Sequence, residues 1–209
     1  MLNKVLLPTA YLAPISYYAI LLQLSDWQIE HHENFIKQSI RNRCEIYGAN
    51  KKLRLTIPKK RHKSHKTIIT DITISYEEKW QKKHWNSIVS SYNSSPFFEY
   101  YKDEIQPAFE KKEKYLIDFN NKLQEIILTI LQVNVQYNAS TKYNYTGNFY
   151  DMRNHNFSNN DIKRYDQVFM EKNGFIANLS ILDLLFNLGP ESTEYLNNLN
   201  ICVAIENSR

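Results

Sequence analysis

The stretch from Val5 to Leu24 carries no charged residue and is followed, after Ser25, by Asp26-Trp27-Gln28-Ile29-Glu30. Its length approaches that of a membrane span or a signal-peptide core. Pro8 and Pro14 break it, and Thr9, Ser16 and three tyrosines interrupt its apolar character. The run therefore divides into a buried strand at Val5-Leu6-Leu7, a turn, and a helix from about Ile15 to Leu24. With a second short strand at residues 26–30, the order is strand, helix, strand with short connections. Such a unit favours a parallel pair. The expected fold is α/β, a single domain over residues 1–209 whose parallel or mixed sheet starts with this βαβ unit.

That placement gives weight to the stretch "IEHHENFIKQSIRNR", Ile29 to Arg43. Ligands in open α/β sheets bind outside the carboxyl ends of the strands. The loop Pro8 to Pro14 and the residues Glu30, His31 and His32 leave the two strands at that edge. Beyond them, Phe35, Ile36, Ser39 and Ile40 share one face at helical spacing, with Lys37, Gln38 and Arg41 on the other. "CEIYGANKKLRLTIP" reads as a hairpin turning at Gly48-Ala49-Asn50, with Leu53, Leu55 and Ile57 inward and Arg54 and Thr56 outward. Thr67 to Ser75 reads as a further strand.

The second half reads as mainly helical. Glu77 to Tyr92 places Trp80, His84 and Ile88 on one stripe. Pro96 opens a short helix. Lys111 to Val133 reads as one long helix, with Leu116, Phe119, Leu123, Ile126, Ile127 and Ile130 inward and Lys122, Gln124 and Glu125 outward. Residues 136–161 are polar, rich in Asn and Tyr and aperiodic, which predicts a long loop or lid. In "NLSILDLLFNLGPES", Ser180 caps a buried helix with Asp183 in the capping-box position. Gly189 then supplies a left-handed C-terminal residue, and Pro190 stops continuation.

Composition narrows the chemistry. The net charge of +4 over 209 residues argues against wholesale nucleic-acid coating. The basic run 59–66 has no interleaved aromatics and reads as a solvated loop, so no nucleic-acid partner is expected. Two cysteines, Cys44 and Cys202, are too few for a disulfide framework and show no zinc spacing. Reduced thiols in a cytoplasmic protein follow, with Cys44 turned inward and inert. Sites such as Asn138-Ala-Ser140 reflect heavy Asn usage more than glycosylation. There is no P-loop, no G-x-G-x-x-G and no G-x-S-x-G, so nucleotide hydrolysis, dinucleotide redox chemistry and hydrolase-type Ser catalysis are unsupported.

The residues "TAYLAPISYY", "NFIKQSIRNRCEIYGANKKLRLTIP", "HWNSIVSSYNSSPFFEYY", "YDQVF" and "LSILDLLFNLGPES", in this order, resemble the WbqC-like protein family of bacteria over nearly the whole chain. The resemblance implies a role near surface-polysaccharide genes, in O-antigen production. Transfer of glycine or another amino acid to a sugar is the activity suggested for that family. It brings no established catalytic residues. The chain departs from the pattern at Leu7-Pro8, where many relatives have Gln-Pro. It departs again at Glu30-His31-His32-Glu33, where many have aspartates ending in Val-Gln. No metal site is expected from these positions.

The candidate site follows. His31 or His32, beside Glu30, is the candidate general base; adjacent residues on a strand end point to opposite sides, so at most one of the two faces a pocket, and the alternative for both is a surface or structural role. Arg41 and Arg43, with Gln38 and Asn42, are candidates for holding a carboxylate or phosphate. The alternative is a salt bridge to Glu30 or Glu33. Tyr11 and Tyr18 are candidates for a wall on which a sugar or base stacks. His84 is a further binding candidate, or a satisfied core histidine. Two functions fit. One is a transferase moving an acyl or aminoacyl group to a sugar, with a nucleotide sugar or an acyl or aminoacyl donor as ligand. The other is a non-enzymatic nucleotide-sugar-binding or scaffold protein of the same pathway. A deep pocket presenting the arginines marks the first, a flat apolar surface the second. Cofactor and oligomeric state are left open by the sequence.

Overall fold

A computed structural model describes residues 4–24, 26–61, 66–133, 139–143, 149–157 and 162–201. Cys202, Asn138 of the sequon, residues 62–65 of the basic run and parts of the 136–161 segment lie outside the described residues.

The expected βαβ unit is present. Strand β1 (Lys4–Pro8) is followed by helix α1 (Ile15–Gln23) and strand β2 (Asp26–Glu30). β1 and β2 pair in parallel, from Lys4 opposite Asp26 to Pro8 opposite Glu30. Val5, Leu6 and Leu7 are fully buried, as expected for a central strand covered on both faces. Its other neighbour is β5 (Phe149–Asp151), also parallel, in the order β2-β1-β5. The segment 136–161 thus supplies a strand. Three residues are too few for a periodic signal, and pairing to β1 compensates for weak local preference.

Strands β3 (Arg43–Gly48) and β4 (Lys51–Thr56) form the hairpin as a separate antiparallel sheet. Leu55 and Ile57 are buried, but Leu53 is 38% exposed because the hairpin tip projects past the core. Residues 35–40 are turns, not a helix. Ser39 Oγ donates to Ile36 O at 2.7 Å, and Gln38 holds a left-handed φ of 61°. Such local side-chain bonds compete with a helical ladder. The strand expected at 67–75 is instead a 3-10 turn at Ile69–Asp71 flanked by isolated bridges.

Helices α2 (Trp80–Tyr92), α3 (Phe98–Glu110), α4 (Leu116–Ile130), α5 (Met170–Asn173), α6 (Ile181–Leu188) and α7 (Ser192–Asn197) follow. α3 is longer than the short helix expected after Pro96. The expected 111–133 helix begins only at Leu116, because tertiary pairing holds the residues before it extended. Leu116 N–H donates to Ile72 O at 2.8 Å, and Ile74 N–H to Lys114 O at 3.0 Å. Gln124, expected outside, is buried. Among the described residues, no helix is long and apolar enough to cross a membrane.

The start of α6 is tied to the loop after β1 and to β3. Ile181 N–H donates to Ala13 O at 2.9 Å, and Ser180 N–H to Glu45 O at 2.7 Å. Ser180 Oγ caps α6 by accepting from Leu182 N–H at 3.4 Å. The Asp183 carboxylate does not complete a capping box. It accepts from Tyr92 Oη at 2.9 Å, Tyr165 Oη at 2.6 Å and Gln167 Nε2 at 2.7 Å. Asp183 is therefore the polar centre of the packing between α2, α6 and the 165–167 segment.

Candidate functional site

All three parallel strands end at one edge, and a buried network of charges lies along it. Glu30 ends β2 and Glu33 follows it by three residues, while Asp151 ends β5 and Arg153 follows it by two. Arg41 Nε donates to Glu33 Oε1 at 2.7 Å, and its Nη2 pairs with Glu33 Oε2. That Nη2 also donates to Arg153 O at 2.9 Å. Arg153 forks onto Asp151, with Nε to Oδ1 at 2.8 Å and Nη2 to Oδ2 at 2.6 Å, and reaches Glu30 at 3.5 Å. Glu30 also accepts from Ser140 Oγ at 2.6 Å and from His32 N–H at 2.9 Å. Asn120 on α4 links the β1 end to the network, donating to Thr9 Oγ1 at 3.2 Å and Arg41 O at 2.9 Å.

Electrostatics follow from burial and pairing. Burial pushes the Glu33 carboxyl above its ordinary range, partly offset by the Arg41 guanidinium. Burial also works to raise Asp151, but the Arg153 hydrogen bonds outweigh it and hold the carboxyl low. Three carboxylates, Glu30, Glu33 and Asp151, thus neutralise two guanidiniums, Arg41 and Arg153.

In front of this network is a cavity of about 720 Å³. That volume suits a ligand of metabolite size. Arg41, Arg153 and His155 line it from the sheet edge, Arg43, Cys44, Glu45, Lys52 and Arg54 from the hairpin, and Leu12, Asn178 and Ser180 from the opposite wall. Lys52 and Arg54 share Glu45, at 3.2 and 2.7 Å. Arg43 differs. Among the described residues it makes no ion pair, and its Nε is buried without a hydrogen-bond partner. Arg43 is thus a cavity-lining guanidinium whose charge no carboxylate answers among the described residues.

Backbone strain concentrates at the same place. Five non-glycine residues have positive φ, and three of them, Leu12 (44°), Gln38 (61°) and Asn178 (57°), line the cavity. Conformations of this kind cost on the order of 1–3 kcal/mol each and cluster at functional sites.

The sequence candidates are distributed unevenly around this geometry. Gln38, Arg41 and Arg43 line the cavity. Arg41 makes the expected alternative contact, a salt bridge to Glu33, and is buried. Asn42 is buried behind it and donates to Ile57 O at 3.0 Å. Glu30, His31 and His32 sit in the network behind the lining. His31 N–H donates to Ser140 Oγ at 2.9 Å, and the His32 ring meets Ser140 O at 3.2 Å. Burial, then His32, hold the His31 ring below its ordinary pKa. Tyr11 and Tyr18 are in the core, away from the lining. His84 is a satisfied core histidine. Tyr11 Oη meets its Nδ1 at 2.9 Å, its ring bonds the Thr56 backbone, and burial pulls its pKa down to about 4. Cys44 is buried, and burial pushes its thiol well above the usual range, which leaves it inert.

Profile comparison matches the WbqC-like protein family over residues 9–153 and 149–195. The chain belongs to the WbqC-like protein family. No curated protein and no solved structure matches it significantly. Within this WbqC-like chain, the sequence reading missed the wall after β5: Arg153, Asn154, His155 and Asn156. Their one signal was "DMRNHNF", a polar run following a Phe-Tyr pair in a segment otherwise without period. Among the described residues no three His, Cys, Asp or Glu side chains group as a metal site.

Proposed function

We propose that this WbqC-like protein binds an anionic ligand in the sheet-edge cavity and transfers an acyl or aminoacyl group, such as glycyl, to a sugar in bacterial surface-polysaccharide synthesis. The ligand class is an acyl or aminoacyl donor carrying a phosphate or carboxylate, or the nucleotide sugar that accepts the group. One observation carries the reading: Arg43, without an ion pair among the described residues, lines a cavity of about 720 Å³ at the carboxyl edge of a parallel sheet.

The division of labour follows from the pairing. Arg41 and Arg153 are already held by carboxylates, so their role is to fix the wall. Arg43 has charge to spare and holds the ligand anion, with Lys52 and Arg54 drawing it in from the mouth. Leu12, Ile36, Ile40 and Phe157 give the same cavity apolar surface for the rest of the ligand. His31, His32 and Glu30 set the position of Ser140 and Arg153 in this reading. A cavity that gathers the arginines, in contrast to a flat apolar face, favours the transferase over the scaffold.

The test is a thermal-shift screen of nucleotide sugars, acyl-coenzyme A compounds and aminoacyl donors. Ligands that bind the folded state raise Tm by mass action, by about 2.7 kcal/mol of stability at a hundredfold excess over Kd. A shift with one class, lost in Arg43→Gln, is expected. No shift with any class contradicts the proposal.

A further inference from the structure

His155 lies two residues beyond Arg153 on the cavity wall. Its backbone N–H donates to Met152 O at 3.1 Å, and its ring meets Phe157 edge-on, with centroids 5.1 Å apart and planes at 88°. Neither ring nitrogen has a hydrogen-bond partner among the described residues. By contrast, Tyr11 and Thr56 engage the His84 ring, and the Ser140 carbonyl engages that of His32. His155 is therefore a half-buried imidazole with neither nitrogen engaged among the described residues, in a cavity for which the sequence pointed to His31, His32 and His84 instead.

The charged groups sharing the cavity are Arg41, Arg43, Lys52, Arg54, Arg153 and Glu45. Arg41 and Arg153 are neutralised from behind by Glu33, Asp151 and Glu30, and Lys52 and Arg54 share Glu45. The uncompensated charge is positive, which disfavours a second cation on His155. Burial works in the same direction and holds the ring below its ordinary pKa. The ring is thus mainly neutral at pH 7 and able to accept a proton.

We infer that His155 is the proton-exchanging group of this cavity, a neutral imidazole made a stronger base by the anion that Arg43 seats beside it. The inference rests on the anion-binding reading above and assigns that site its acid–base residue. In the transfer, the acceptor's amine or hydroxyl attacks the acyl carbon, and its proton passes to His155 as the new C–N or C–O bond forms. The bond from the acyl carbon to the leaving oxygen or sulfur then breaks, and His155 returns the proton to that atom. No oxidant, reductant or further reactant is needed.

The experiment is an NMR titration of the His155 Cε1–H signal, assigned by its absence in His155→Gln. It is recorded with and without saturating inorganic pyrophosphate, in the wild type and in Arg43→Gln. The expected result is a His155 pKa raised by about one unit on binding, equivalent to roughly tenfold tighter binding on the acid side. No such shift is expected in Arg43→Gln. Pyrophosphate binding that depends on Arg43 but leaves the His155 pKa unchanged overturns this inference and leaves the anion site standing. Absence of binding in the wild type, or binding indifferent to Arg43, overturns both.

Discussion

Two arginines, separated by Asn42, have opposite fates. Arg41 is 2% exposed and forks onto Glu33. Removing one partner of a buried pair leaves an uncompensated charge, at about 3–5 kcal/mol. Glu33→Gln should therefore lower stability by roughly that amount in urea denaturation. Arg43 has no such partner among the described residues, so Arg43→Gln should change stability by less than about 1 kcal/mol while abolishing ligand binding. A Glu33→Gln variant as stable as the wild type would contradict the first expectation. Gly189 makes a third residue-scale test. Its φ is 56°, and a Cβ there would collide with the Phe97 ring. Gly189→Ala should cost at least about 2 kcal/mol and lower Tm by roughly 4–8 °C in calorimetry.

Among the elements, α6 carries an ionisable group that sets pH dependence. Burial, against three hydrogen bonds, pushes Asp183 up to about 6, from an ordinary value of 3.8. A raised folded pKa means that this group's stabilisation is complete below pH 3.8 and lost as pH rises through 6. The loss is about 3 kcal/mol at 1.36 kcal/mol per unit. His84 has the opposite sign. Its folded pKa of about 4 lies below the ordinary 6.5, so its contribution is present above pH 6.5 and lost as pH falls through 4. The two windows overlap and mask each other in the wild type. Urea denaturation of Asp183→Asn from pH 4 to 7 should reveal stability rising more steeply with pH than in the wild type, because the opposing Asp183 contribution is gone and that of His84 remains. A slope identical to the wild type would contradict this assignment. Elements with strong local signals were legible in the sequence: the βαβ unit, the β3–β4 hairpin and the Ser180-to-Gly189 helix. Where tertiary pairing decided, they were not. Three-residue β5 exists only through β1, and Ile72 and Ile74 draw the residues before α4 into extended pairings. The site was half legible for the same reason. Gln38, Arg41 and Arg43 lie on the stretch singled out by its position, whereas Arg153 and His155 enter through β5. Which arginine was free depended on Glu33 folding back onto Arg41, and residue types alone do not determine that.

At the scale of the molecule, the cavity is a seam. The carboxyl edge of the parallel sheet, the hairpin and the chain around Asn178 and Ser180 each supply one wall. Occupancy should therefore link the walls and raise stability by mass action, whatever the ligand's identity. The central claim is that Arg43 holds the ligand's anion while Arg41 and Arg153 remain bound to their carboxylates. The most direct measurement is an NMR correlation of arginine Nε–H groups, recorded while the ligand found in the screen is added. The account predicts that the Arg43 signal moves with saturation, while those of Arg41 and Arg153, already bonded to Glu33 and Asp151, stay in place. An unmoved Arg43 signal under saturating ligand would contradict it.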